Sequence, residues 1–189
     1  IFFLKKYNSD NSKDIKILAG TEVPPLVPKG FLLQREVFGK LYEGKKFDLR
    51  VHCCVSRDGE VMIHKNLYYR INPYAYKRDI SAGIDVSCHF TRPWTTGSII
   101  SFFEKTKPQE FNTANYLDQL RTIIPRIYNR LMPFANTGIT KDLNSSYMIG
   151  GLDFIPNEDD ELKFLEINVT PGWDINLGIS NYRDFYDSA

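Results

Sequence analysis

A chain of 189 residues is long enough for one domain of ordinary size with a real core. Its 24 Lys and Arg against 23 Asp and Glu leave no charge surplus that would point to nucleic acid or an anionic membrane, and 42% hydrophobic with 14% aromatic content is that of a folded protein. No apolar run approaches the ~20 residues that span a bilayer, so neither nucleic acid nor membrane is expected as a partner.

The elements follow in chain order. Phe2-Phe3-Leu4-Lys5 and Ile15-Lys16-Ile17-Leu18 predict two short strands joined by a polar loop, Asn8 to Asp14. A Pro-rich connection from Val23 to Pro28 leads to a third strand, Phe31 to Val37. Lys46-Phe47-Asp48-Leu49-Arg50-Val51 begins a long strand that continues to Val55, and Arg57-Asp58-Gly59 turns it into a return strand, Glu60 to Lys65. The aromatic segment Tyr68 to Tyr76, which contains Pro73, reads as an ordered loop, and Cys88-His89-Phe90-Thr91 as a short strand end. Ser98 to Lys105 has one apolar face. From Thr113, the residues Leu117, Leu120, Ile124, Ile127 and Leu131 recur at helical intervals, with Pro125 expected to kink or split the helix. Two strands, Gly150 to Ile155 and Phe164 to Asn168, flank the polar turn Pro156 to Asp160, and Ile175 to Tyr186 forms a closing helix or turns.

Strands first, helices next and an acid-bearing hairpin last make the chain α+β, with antiparallel sheets and packed helices. The three cysteines, two of them adjacent at 53 and 54, make no disulfide framework. Neighbours on a strand point to opposite faces, so at most one of that pair faces the core. The expected setting is reducing, intracellular and cytoplasmic. The chain opens without Met inside a strand, so residues 1–189 are expected to be one domain of a longer protein whose N-terminal region is missing.

Chemistry concentrates in two places. In the last hairpin, period-2 alternation puts Glu166 and Asn168 on one face of their strand, and pairing brings Asp153 beside them. Hard oxygen donors without Cys or His suit Mg²⁺, with Mn²⁺ as the other candidate, and not zinc. A solvated strand face is the alternative, although Asp153 and Glu166 stand inside otherwise apolar runs. In the long strand, Lys46, Asp48 and Arg50 alternate with apolar residues and project from one face; a surface strand has the same pattern. Arg70 and Thr91 follow downstream.

Together these segments resemble the tubulin–tyrosine ligase-like group of ATP-grasp ligases. Lys46-Phe47-Asp48-Leu49-Arg50 is similar to that group's Lys-Phe-Asp-Ile/Leu-Arg strand, and Leu33-Gln34-Arg35-Glu36-Val37 to its nucleobase-binding Gln-Lys-Tyr-Leu segment. His89-Phe90-Thr91 resembles its His-Leu-Thr-Asn loop, and Phe164-Leu165-Glu166-Ile167-Asn168 its Leu-Ile-Glu-Val-Asn strand. The resemblance implies an ATP-grasp fold that binds ATP and Mg²⁺. In it, Lys5 reaches a phosphate, Gln34 and Arg35 with the backbone of Glu36 and Val37 take the nucleobase, and Lys46 and Asp48 lie over the nucleotide. Asp153, Glu166 and Asn168 hold the metal. Asp48, Arg50, Arg70 and Thr91 serve catalysis, with the two arginines gripping phosphate and carboxylate.

The implied reaction is phosphorylation of a carboxylate by ATP followed by attack of an amine. An amino acid would join a protein or peptide acceptor, tubulin being possible by resemblance only. Three departures stand out: residues 8–14 contain no glycine where the group has a glycine-rich phosphate loop, position 92 is Arg, and Val169-Thr170-Pro171-Gly172 is closer to D-alanine–D-alanine ligases. Two other readings are a ligase or kinase acting on a small molecule and a divergent, non-catalytic nucleotide-binding or interaction module.

Overall fold

The computed structural model describes residues 1–7, 15–56, 60–64, 67–80, 83–89, 111–135 and 147–168. Among them are nine strands and one α-helix. Strands β1 (Phe2–Lys6), β2 (Ile15–Leu18) and β3 (Phe31–Arg35) form a small antiparallel sheet in the order β2-β1-β3. A second, six-stranded sheet is built around β5 (Lys45–Ser56), with β4 (Leu41–Tyr42), β6 (Val61–Ile63), β7 (Tyr68–Ala75), β8 (Tyr147–Pro156) and β9 (Leu162–Asn168). All its pairings are antiparallel. The helix α1 runs from Thr113 to Ala135. The antiparallel sheets agree with expectation; of the expected helices, α1 lies among the described residues, and residues 98–105 and 175–186 lie outside them.

Alternation along β5 explains the layering. Phe47, Leu49, Val51, Cys53 and Val55 are buried on one face and pack with Leu152 and Phe154 of β8 against α1. Lys46, Asp48, Arg50, His52 and Cys54 fall on the other face. Cys53 alone of the adjacent cysteines belongs to the core cluster, as alternation requires.

Helix α1 contributes Tyr116, Leu120, Ile124 and Tyr128, all buried at four-residue spacing, with Leu117, Ile123 and Ile127 packed at the margin. The apolar count picks Leu120 and Ile124 correctly but passes over the two tyrosines, whose hydroxyls carry hydrogen bonds from inside the core. Pro125 does not split the helix. The missing bond costs about 3 kcal/mol, and buried residues on both sides of it hold the two halves to one sheet.

Two expectations are overturned. Residues 68–75 are a strand and not a loop. Pro73 is tolerated because, among the described residues, β7 pairs only with β5, and the register slips between Lys45↔Ala75 and Phe47↔Ile71. Cys88 and His89 are not a strand either: Val86–Cys88 is a 3-10 turn, its first residue preceded by Asp85, whose side chain accepts from the Ser87 N–H at 3.2 Å, and residues 90 and 91 lie outside the described residues. Strand β3 also ends at Arg35, two residues early.

The turn between β8 and β9 is fixed to the rest of the molecule. Asp160, at φ 59°, accepts from Lys40 Nζ at 2.8 and 2.9 Å and from the Tyr116 hydroxyl at 2.5 Å. Gln119 of α1 donates to the Asp160 carbonyl at 2.7 Å and accepts from the Leu162 N–H at 2.8 Å. The hairpin carrying Asp153 and Glu166 is therefore positioned from the helix side as well as by its sheet partners.

Candidate functional site

Cross-strand register assembles the polar face of the larger sheet. Tyr68, Arg50, Asp153 and Glu166 lie in one row across β7, β5, β8 and β9. The row on one side pairs Arg70 with Asp48; the row on the other is His52, Gly151 and Asn168. The expected convergence of Asp48, Arg50, Arg70, Asp153, Glu166 and Asn168 is thus a direct consequence of β-pairing.

At its centre is Asp153, 1% exposed. Arg50 grips it with both prongs, Nε to Oδ1 at 2.6 Å and Nη2 to Oδ2 at 2.7 Å. Arg70 Nη2 reaches Oδ2 at 2.9 Å, and its Nε donates to Asp48. Burial alone would raise the Asp153 carboxyl, but the Arg50 hydrogen bonds and the Arg70 charge outweigh it and hold the group below the usual carboxylate range. Asn168 Nδ2 stands 3.4 Å from Asp153 Oδ2, confirming a shared face, while Glu166 is exposed.

Charge links the small sheet to this row through Lys5. Phe3, Lys5, Leu32 and Gln34 share one side of it by register. Burial lowers the Lys5 ammonium, and the charges of Glu166 and Asp153 oppose that, so Lys5 lies within electrostatic reach of both acids. Phe3 meets His89 edge-on at 6.2 Å. Arg35 is exposed and pairs with Phe2, on the opposite side from Lys5 and Gln34. The structure does not bring the Arg35 side chain to the other candidates.

Glu36 has a different part from the one expected. Its backbone N–H donates to Ile1 O at 3.0 Å. Its buried carboxylate is paired with Lys46, accepts from the Tyr76 hydroxyl at 3.2 Å and lies 3.4 Å from His89 Nδ1. Burial would raise this carboxyl, but the bonds to His89 and Lys46 prevail and push it down to about 2. Lys46 also approaches His89 Nδ1 at 3.2 Å and sits 4.2 Å above the Tyr76 ring. Val37, half-buried, follows Glu36, and Thr91 lies outside the described residues.

An open cavity of about 430 Å³ adjoins Lys46, lined also by Phe38, Lys40, Tyr76, Arg78 and Glu158. Arg78 stacks over the Phe38 ring at 4.2 Å.

Sequence reasoning missed His52, Tyr76 and the side-chain role of Glu36. His52 continues the alternation Lys46, Asp48, Arg50 by one more step and was within reach of the same count. It is 2% exposed, and burial, followed by the Arg50 charge, lowers it to about 4, so it is neutral at physiological pH. Tyr76 and Glu36 meet Lys46 only through tertiary folding, and no local pattern announces them.

Whether a divalent ion suits this face depends on the donors. Two carboxylates and an amide oxygen are hard donors of the kind Mg²⁺ takes. Among the described residues no three His, Cys, Asp or Glu side chains are grouped to hold an ion, so a site here would need the Asn168 amide oxygen beside the two carboxylates. The set fits in chemistry and face, with the Asp153 oxygens engaged by arginine.

No helix among the described residues is long and apolar enough to cross a membrane. No curated protein matches the chain closely enough to be named. The sequence model of the tubulin-tyrosine ligase family matches residues 40–177, a stretch that contains the whole six-stranded sheet and α1 and begins after the small sheet. That match covers well over half of the 189 residues, and the chain belongs to the tubulin-tyrosine ligase family.

Proposed function

We propose that the chain is an ATP-grasp domain of an ATP-dependent ligase that joins a carboxylate to the amine of a second substrate, one partner being an amino acid and the other a protein or peptide. Family membership supports ligase-type, ATP-dependent chemistry. The observation that carries the finer reading is the single face on which Arg50, Arg70, Asp48, Asp153, Glu166 and Asn168 meet by register, with Lys5 directed at it from the other sheet.

In this reading Lys5 and Lys46 hold nucleotide phosphates as point charges, and Gln34 offers donor and acceptor to the nucleobase. Asp153, Glu166 and Asn168 hold Mg²⁺, which when bound supplies charge stabilisation to the phosphates. Arg50 presents a planar fork to the transferred phosphoryl group or to the carboxylate that receives it. Arg70, pinned by Asp48, fixes the orientation of that region. Phosphorylating the carboxylate creates a leaving group, and attack of the amine then forms the amide and releases phosphate. The work of the protein is positioning and electrostatic stabilisation.

The test is ADP release by the chain incubated with ATP, Mg²⁺ and each amino acid in turn, with and without glutamate-rich and tyrosine-accepting peptides. Release that needs both an amino acid and an acceptor, and that is abolished in Glu166→Gln, is the expected result. Absence of ATP binding, or ADP release indifferent to every amino acid and acceptor, would refute the ligase reading.

A further inference from the structure

Asp153 is the carboxylate that the proposed function assigns to the metal, yet its oxygens are already engaged. Arg50 occupies both, at 2.6 and 2.7 Å, and Arg70 adds a third N–H at 2.9 Å. A carboxylate has about four lone-pair sites; these three N–H groups and the Asn168 amide at 3.4 Å take all of them, and a dication approaching meets two guanidinium charges in a site 1% exposed. Screening by water is weak there.

The two arginines are not equally held. Arg70 is fixed at both ends, its Nε on Asp48 and its Nη2 on Asp153. Among the described residues, the Arg50 guanidinium has both of its ionic bonds on the one carboxylate of Asp153. An anionic phosphate offers Arg50 the same planar two-point partner that Asp153 provides. Transfer of the Arg50 fork from carboxylate to phosphate would uncover the Asp153 oxygens.

We infer that Arg50 is a latch on the cation position: it closes Asp153 to a divalent ion until a nucleotide phosphate draws the guanidinium away, so that cation and nucleotide bind with positive coupling. This rests on the reading of Asp153 as a metal ligand. On the sheet face, Asp48, Asp153 and Glu166 are balanced by Arg50, Arg70 and Lys5. A lone cation therefore has to displace a paired positive charge, and a lone anion a paired negative one. Bound together, each takes the partner the other releases. The coupling is thermodynamic and reciprocal.

The test is Mn²⁺ binding to the whole chain, followed by loss of the free-ion electron paramagnetic resonance signal, without nucleotide. Wild type should bind Mn²⁺ weakly. Arg50→Gln should bind it tighter by on the order of tenfold or more, and Arg50→Lys, which keeps the charge but not the fork, by less. Asp153→Asn in the Arg50→Gln background should erase the gain, and circular dichroism of each variant confirms that it is folded. Nucleotide-free wild type binding Mn²⁺ as tightly as Arg50→Gln would overturn the latch while leaving the metal reading intact. If Arg50→Gln gains nothing, and wild type with a non-hydrolysable ATP analogue shows no more protein-bound Mn²⁺ than an Asp153→Asn control, both ideas fall together.

Discussion

Asp153→Asn separates the structural from the chemical part of the site. The substitution keeps the side-chain volume but removes the charge that faces Arg50 and Arg70, whose side chains are 11% and 8% exposed. The new amide still has one oxygen to accept with, but its NH₂ turns a donor against the donors of a guanidinium. Arg70 then keeps Asp48, while Arg50 loses the carboxylate that holds both of its prongs. Removing one partner of a buried pair typically costs about 3–5 kcal/mol, because the other charge is left uncompensated. Against a total stability of about 5–15 kcal/mol, that is a large fraction. At an m-value of about 2 kcal/mol per molar, urea unfolding without ligand should show a midpoint lower by about 2 M. Glu166→Gln is the contrast: Glu166 is exposed, so the same experiment should register less than about 0.5 kcal/mol. An Asp153→Asn protein that loses less than about 1 kcal/mol would show that the arginines do not depend on this carboxylate.

Glu166→Gln should instead weaken Mg²⁺-dependent binding of a fluorescent ATP analogue by about tenfold or more while unfolding as the parent does; parallel binding curves would remove Glu166 from the metal site. Glu36, depressed from 4.5 to about 2 in the fold, contributes stability that is complete above about pH 5 and lost as pH falls towards 2. Roughly 3 kcal/mol is at stake, and acid unfolding should flatten in this window in Glu36→Gln. A Cβ at Gly150 would come 2.5 Å from the Tyr128 hydroxyl oxygen, so Gly150→Ala should cost about 1–3 kcal/mol, with part of the loss recovered in Gly150→Ala/Tyr128→Phe. Burial pushes the Cys53 thiol up to about 12, so iodoacetamide should modify it only as fast as the protein unfolds; rapid labelling of native protein at Cys53 would contradict its packing against Tyr128.

What the sequence disclosed was what alternation governs. Lys46, Asp48 and Arg50 share a face because β5 is extended, and the same count places Cys53 in the core and Cys54 outside it. The pairing of Asp153 with Glu166 followed from a hairpin whose turn residues are explicit. Sequence reasoning failed where a local signal was overruled by distant partners. Pro73 argued against a strand, but a bulge on a singly paired strand accommodates it. Pro125 left a split helix open, but Tyr116, Leu120, Ile124 and Tyr128 bind both halves to the sheet as one element. The engagement of Asp153 by Arg50 could not be read at all, since an acid and a base 103 positions apart give no periodic sign of contact. Arg35 was drawn in by its neighbours in a motif, and its own alternation places it on the far side from Gln34.

The cluster around Glu36 bears on how the two sheets work as one site. Lys5 and Gln34 sit on the small sheet, Asp153 and Glu166 on the large one, so a ligand touching both senses the separation between the sheets. Glu36 follows β3 directly, and its carboxylate is tied to Lys46 on β5, to Tyr76 just past β7 and to His89 beyond the 3-10 turn. Phe3 closes on the same His89 from β1. These contacts are buried and include an ion pair, so they resist water and salt better than a surface pair would. They hold one end of the small sheet against the large one, while at the Lys5 end the charges of Glu166 and Asp153 act on the ammonium across the two sheets.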